Sequence, residues 1–228
     1  MFRNIFCISI LMMLSTNVSA SIVMDITRVI YNAGMREVTI PITNRSNKPV
    51  LVQSWLDTGN KASSPASNDT PFIIIPPITR VDAESRQTLR LHVVNSSALP
   101  RDRESLFWLN VLDVPMKLPA GEGVNRLQVA LHTRVKLFYR PEGLRGNPET
   151  AVQALSWHSS KQGVTVSNSG ARYVSLVSVA TKSGNWPVDM VAPGESRNFP
   201  LSVKSGTPAQ VTWIDDNGMT KIYDVVIK

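Results

Sequence analysis

The segment NRLQVALHTRVKLFY, residues 125–139, constrains this chain more than any other. It places Leu127, Val129, Leu131, Thr133, Val135, Leu137 and Tyr139 on one parity, with mostly polar residues on the other. Sustained alternation is a strand signature, because successive strand side chains point to opposite faces. At ~3.3 Å per residue the strand would run roughly 45 Å, whereas an ordinary strand has about 5 to 6 residues. It is therefore expected to overhang its own domain and to present an apolar edge. Such edges aggregate unless covered. A protein that keeps one is a candidate for binding by strand addition, where backbone hydrogen bonds hold the partner and alternate side chains select it. A long central sandwich strand would satisfy the same pattern.

Residues 1–20 are set apart from the fold. Arg3 precedes an apolar run that closes on Val18-Ser19-Ala20, the small-residue pattern of a leader cleavage site. The mature chain is expected to begin at Ser21. The apolar run is shorter than the ~20 residues a membrane-spanning helix requires, and no later segment is long and apolar enough, so an exported product without membrane insertion is expected. Losing the leader removes Arg3 and Cys7, the one cysteine, leaving 23 Lys and Arg against 17 Asp and Glu, a net charge of +6. No disulfide can then form within the mature chain, although small secreted domains usually lean on them. Size must serve instead, and about 208 residues suffice for two domains of ~100 each. The basic residues are scattered singly, with no Lys/Arg run or recognition helix, so nucleic acid is not expected as a partner.

Alternating runs at residues 37–43, 50–56, 72–75, 88–94 and 106–112 precede the long strand, with turn chemistry at 44–49 and 58–70. Helical periodicity is absent outside the leader. The stretch Arg140-Pro141-Glu142-Gly143-Leu144-Arg145-Gly146-Asn147-Pro148 breaks the pattern, and further runs follow at 154–157, 164–168, 173–181, 198–203, 210–214 and 221–227. An all-β chain of two antiparallel sandwiches is expected. Trp55, Trp157 and Trp213 are expected to fill cores. Pro41, which lacks a ladder donor, marks its strand as an edge or bulged.

Carriers of catalysis do not appear. His92, His132 and His158 are far apart and lack metal-ligand spacing, and no nucleophile elbow, dinucleotide fingerprint or P-loop is present. Asp215-Asp216-Asn217-Gly218 resembles part of a calcium loop, but the remaining ligand positions are not acidic, and Asn-Gly between strands is a hairpin turn. Neither a metal nor another cofactor is implied, and a binding protein is favoured over an enzyme.

Two motifs carry a family resemblance: Arg101-Asp102-Arg103-Glu104-Ser105-Leu106-Phe107-Trp108-Leu109-Asn110, and Leu127-Gln128-Val129-Ala130-Leu131 followed by Lys136-Leu137-Phe138-Tyr139-Arg140-Pro141. With Asp25-Ile26-Thr27-Arg28, Pro76-Pro77-Ile78-Thr79-Arg80 and Ile214-Asp215-Asp216-Asn217-Gly218, the chain resembles the periplasmic chaperones of chaperone-usher pilus assembly, in the short-loop class. The resemblance implies two immunoglobulin-like sandwiches meeting at an angle around a cleft, residues 21–143 and 144–228. It implies that Arg28 and Lys136 anchor the C-terminal carboxylate of a pilus subunit, while Leu127, Val129 and Leu131 fill the groove left by the subunit's missing strand. Glu104, Arg140 and Asp216 would form an ionic cluster fixing the domains.

The partners so implied are pilus or fimbrial subunits and an outer-membrane usher, in the periplasm, and the open edge would let free copies pair with one another. Lys136 stands on the opposite parity from the three aliphatic residues, which a bulge or strong twist could reconcile. Asp82-Ala83-Glu84-Ser85 replaces a Pro-Gly turn frequent in the family, so that loop is expected to differ in shape. Two other functions fit a β-rich exported chain. A pilus subunit or adhesin would carry a donor extension and usually a disulfide, neither of which is seen, and an exported β-sandwich hydrolase would require an acidic or serine catalytic residue.

Overall fold

The computed structural model describes residues 21–66, 69–115 and 129–228. Leu127 lies outside the described residues, as do the other residues of the long alternating segment up to 128.

The first sandwich is built from β1 (Ile22–Met24), β2 (Arg28–Asn32), β3 (Val38–Asn44), β4 (Val50–Asp57), β5 (Phe72–Ile75), β6 (Ile78–Val81), β7 (Arg86–Val93), β8 (Ser105–Pro115) and β9 (Leu131–Arg140). One sheet has the order β1-β3-β7-β5 and the other β2-β9-β8-β4-β6. Pairing is antiparallel apart from β2 with β9, which is parallel. Alternation drives the burial. Ile40 and Ile42 of β3 point inward while Thr39 and Pro41 face out, and they pack with Leu89 and Leu91 of β7 against Val52, Leu109 and Leu137 of the opposite sheet. Phe72 seals one end edge-on, 5.6 Å from Tyr31 and 5.0 Å from Phe107 between ring centroids, a geometry that suits aromatic quadrupoles.

After a one-and-a-half-turn helix α1 (Pro148–Gln153), the second sandwich comprises β10 (Ser156–Ser160), β11 (Gly163–Ser167), β12 (Ser175–Thr181), β13 (Gly184–Pro187), β14 (Ser196–Phe199), β15 (Thr207–Ile214) and β16 (Thr220–Ile227). Its sheets are ordered β10-β11-β14 and β13-β12-β15-β16. Trp157 and Trp213 lie in its core with Val164, Val166, Val179 and Val211. The two apolar cores share no residue, so the chain is all-β with two sandwich domains.

Four expectations require correction. The chain does contain a helix: Asn147 accepts from the Thr150 N–H at 2.8 Å while the Thr150 hydroxyl accepts from the Asn147 N–H at 2.9 Å, a reciprocal cap, with Pro148 at the first helical position. Six residues that bury only Val152 are too few to display a 3.6-residue period. Trp55 does not fill the core. It is buried on the outer face of its sheet, stacked on His132 at 5.1 Å with its indole N–H donating to Ser63 at 3.1 Å, because the loop after β4 folds over that face. Pro41 marks neither an edge strand nor a bulge: β3 lies between β1 and β7, and Pro41 sits in a regular ladder opposite Thr88, just past the residues of β3 that β1 covers. Strands β1, β2, β6 and β13 are additional, and each is too short to show a period. In the Asp82–Ser85 loop, Glu84 adopts a φ of 53°, the left-handed conformation that glycine adopts without penalty.

Candidate functional site

Strand β9 is flanked by β8 along its length, from Leu131 opposite Asp113 to Tyr139 opposite Ser105. On its other side β2 covers only Lys136 to Arg140. The ladder groups of Leu131 to Val135 on that side have no neighbouring strand among the described residues. Leu137 and Tyr139 point into the first core, and the same parity continues through Val135 to Leu131, 42% exposed, and Val129, 68% exposed. The core face of the strand therefore runs out beyond the sandwich. The β8–β9 register is continuous, with no bulge between Leu131 and Lys136. Lys136 simply occupies the other face, alongside Phe138, which packs on Tyr173 of the second domain at 5.6 Å.

Arg28 opens β2 directly opposite Lys136. Its guanidinium donates from Nη1 to the Ser175 hydroxyl at 3.1 Å and the Ile214 carbonyl at 3.3 Å, both across the domain junction, while its buried Nε has no partner. Burial pushes the Arg28 guanidinium below its usual range, against the pull of Asp216 and Asp215. Burial likewise pushes the Lys136 ammonium down, with Asp189 opposing and Arg28 adding to the shift. Among the described residues neither side chain belongs to an ion pair. Two half-desolvated cations thus lie side by side without a paired anion among the described residues, an arrangement that charge-assisted bonds from an incoming anion would satisfy.

Below them the junction is held by a network of ion pairs. Arg140 donates from Nε to Glu104 at 2.7 Å and holds Asp216 through both terminal nitrogens, at 2.8 and 3.0 Å. Glu104, 4% exposed, also accepts from Arg172 at 3.3 Å and from the Tyr173 N–H at 2.9 Å, while its own N–H donates to the Ala171 carbonyl. Arg172 also donates from Nη2 to the carbonyls of Leu144 and Gly146, at 3.2 and 2.8 Å, while its buried Nε has no partner among the described residues. Glu104, Arg140 and Asp216 thus meet, and Arg172 joins them as a fourth member that sequence reasoning missed. A lone arginine in a loop has no periodicity to betray it. Ser175 and Ile214, the partners of Arg28, stand at the ends of β12 and β15 and were missed because their contacts cross the domain junction.

The polar face of β9 is braced separately. Arg134 binds the buried carboxylate of Asp57 and lies 4.4 Å over the Trp108 ring, and His132 bonds Asn110, which donates to Asp57. Burial alone would raise the Asp57 carboxyl, but donors from Asn110, Arg134, Gly59 and Ser63 hold it below its usual range. His92 lies beside Glu37, and no cluster of metal-ligating side chains occurs among the described residues.

Comparison with known proteins agrees with this architecture. The chain is 44% identical over 197 residues to the probable fimbrial chaperone YadV of Escherichia coli K12, covering 82% of this chain and 80% of the relative. It is 40% identical to the chaperone protein FimB/FhaD of Bordetella pertussis, covering 91% and 88%. The crystal structure of the YadV chaperone superposes with a TM-score of 0.76 at 37% identity, covering 91% of this chain and all of that one. A complex of the Salmonella enterica SafA pilin with the SafB chaperone gives 0.80 at 27% identity, covering 93% and 99%. Residues 21–145 match the family described as pili and flagellar-assembly chaperone, PapD N-terminal domain, and residues 150–224 match the PapD C-terminal domain of the pili assembly chaperones. The sandwich pair, the open strand and the cleft cations belong to a chain that is a member of the pilus-assembly chaperone family, not an enzyme.

Proposed function

We propose that this protein is a periplasmic chaperone that captures pilus or fimbrial subunits by donor-strand complementation and passes them to an outer-membrane usher. In this reading the leader is removed before Ser21, the domains divide at Gly143–Leu144, and both sandwiches are immunoglobulin-like. The observation that carries the reading is the geometry of one strand end. The uncovered edge of β9 stops where β2 begins, at Lys136 opposite Arg28. An incoming strand running parallel to β9 along Leu131 to Val135 would be collinear with β2 and would end against Arg28. Its terminal carboxylate would then meet both cations, each charge-assisted bond contributing about 1.5–3 kcal/mol.

Anchoring the carboxylate sets the register, and register decides which side chains meet the partner, since a slip of one residue turns the apolar set to the wrong face. Leu131 and Val129, with Leu127 on the same parity, would then fill the subunit's open groove. Binding itself supplies the missing core, so no nucleotide is needed. The same edge would let free copies of the protein pair with one another.

Periplasmic co-expression with a pilus subunit tests the anchor. Lys136→Ala and Arg28→Ala are expected to remain folded while the subunit is degraded, each weakening capture roughly tenfold or more. Unchanged subunit recovery in both variants would overturn the assignment.

A further inference from the structure

We infer that the buried carboxylate of Asp113 is a receptor for the α-ammonium group that leader removal creates on Ser21, an inference that rests on trimming before Ser21 as proposed above. Asp113 lies on the inward parity of β8, following Phe107, Leu109 and Val111 of the core, where an apolar residue is expected. It is 3% exposed, and among the described residues no cation pairs with it. Its Oδ2 accepts from the Ser21 hydroxyl, while its Oδ1 is buried without a partner among the described residues. Burial pushes this carboxyl above its usual range, against the influence of the Ile22 N–H. A carboxylate so placed is costly unless a cation joins it.

Ser21 is held from two sides. Its carbonyl accepts from the Arg45 N–H at 2.7 Å, next to the β1–β3 ladder that starts with Ile22 opposite Asn44, and its hydroxyl touches Asp113 in the other sheet. The Ser21 nitrogen is a few covalent bonds from both. In the uncleaved chain that nitrogen is an uncharged amide. Hydrolysis of the Ala20–Ser21 bond by a leader peptidase adds water across it, leaving a carboxylate on Ala20 and an ammonium on Ser21. The new charge arises a few covalent bonds from the hydroxyl that already touches Asp113, and the resulting pair ties the two sheets together. Asp113 is the register partner of Leu131, so the tie forms where β9 leaves the sandwich. The precursor lacks this tie, and the trimmed chain gains it.

The experiment starts from the full-length chain expressed with export to a Gram-negative periplasm. Intact mass gives the first residue, and a start other than Ser21 refutes the trimming and the inference with it. With Ser21 first, four proteins are compared by urea unfolding: the trimmed chain, the chain with two glycines left before Ser21, Asp113→Asn, and both changes together. The extension is expected to raise the unfolding equilibrium constant about tenfold with Asp113 present and to have no effect in the Asp113→Asn background. Strict additivity overturns the inference while leaving the trimming intact. A second readout is the rate at which a limiting acylating reagent modifies the Ser21 amine, expected to be about tenfold slower in the trimmed chain than in Asp113→Asn. Should Asp113→Asn fail to fold, the glycine-extended amine serves as the reference. Equal rates refute the pairing.

Discussion

The two halves of β9 share one sequence pattern and meet opposite surroundings. From Lys136 to Arg140 the strand lies between β8 and β2, its odd residues are sealed in the first core, and Arg140 is bonded to two acids. From Leu131 to Val135 it has β8 alone, and the aliphatic residues at its start are exposed. The cations repeat the contrast. Burial would lower the Arg140 guanidinium, but Asp216 and Glu104 raise it above its usual range, whereas Arg28 and Lys136 are left lowered. Stability resides in one half and unsatisfied binding capacity in the other. Satisfying every group would give a better-behaved sandwich with nothing to offer a partner.

The largest expected effect lies in the satisfied half. Arg140→Ala removes three charge-assisted hydrogen bonds, leaving Asp216 without its cation and buried Glu104 with Arg172 and a backbone donor alone, a loss of about 3–5 kcal/mol. Urea unfolding measures this loss, and small-angle scattering should detect altered domain orientation. A loss under ~1 kcal/mol would show that the cluster does not bear on stability. Within the strand itself, Leu137→Ala should cost about 2–5 kcal/mol of stability through the cavity it opens. Leu131→Ser, on the same parity, should change stability by no more than about 0.5 kcal/mol while weakening subunit capture by ~1.5 kcal/mol, roughly tenfold. Equal effects of the two on unfolding would erase the distinction between the halves.

Legibility in the sequence follows the same line. Strands long enough to alternate, such as β3, β4, β8 and β15, were visible because their burial repeats every second residue, and the Pro- and Gly-rich stretch after Arg140 marked the restart of the pattern. Strands β1 and β2, of three and five residues, showed no such repeat in sequence, and β2 matters most because its first residue ends the open edge. The capped helix α1 was hidden by its brevity. Arg28 and Lys136 were reached through motif resemblance alone, since a single basic residue beside a strand is ordinarily solvated. Arg172, Ser175 and Ile214 could not be found that way, because their contacts depend on how two domains meet. The parity conflict of Lys136 dissolved once a regular strand was seen to use one face for the core and the other for the cleft.

The smallest expected effect has the sharpest sign. Because Lys136 is pushed down mainly by burial, with Asp189 opposing and Arg28 adding, the unfolded chain holds its proton to higher pH than the folded one. Between the lowered folded value and the unfolded value of about 10.4, the unfolded state binds more protons. Stability contributed by this group must therefore rise with pH across that window, by at most ~1.4 kcal/mol per pH unit. Comparing wild type with Lys136→Met, which keeps the stem and removes the charge, isolates the contribution from tyrosines that titrate nearby. Subunit affinity should move the other way, falling as Lys136 loses the proton that a carboxylate requires. A lysine already paired in the free protein would have a raised value, and its stabilising contribution would be lost as pH rises. Stability and affinity falling together over this window would thus mean that the cleft had been satisfied before any subunit arrived.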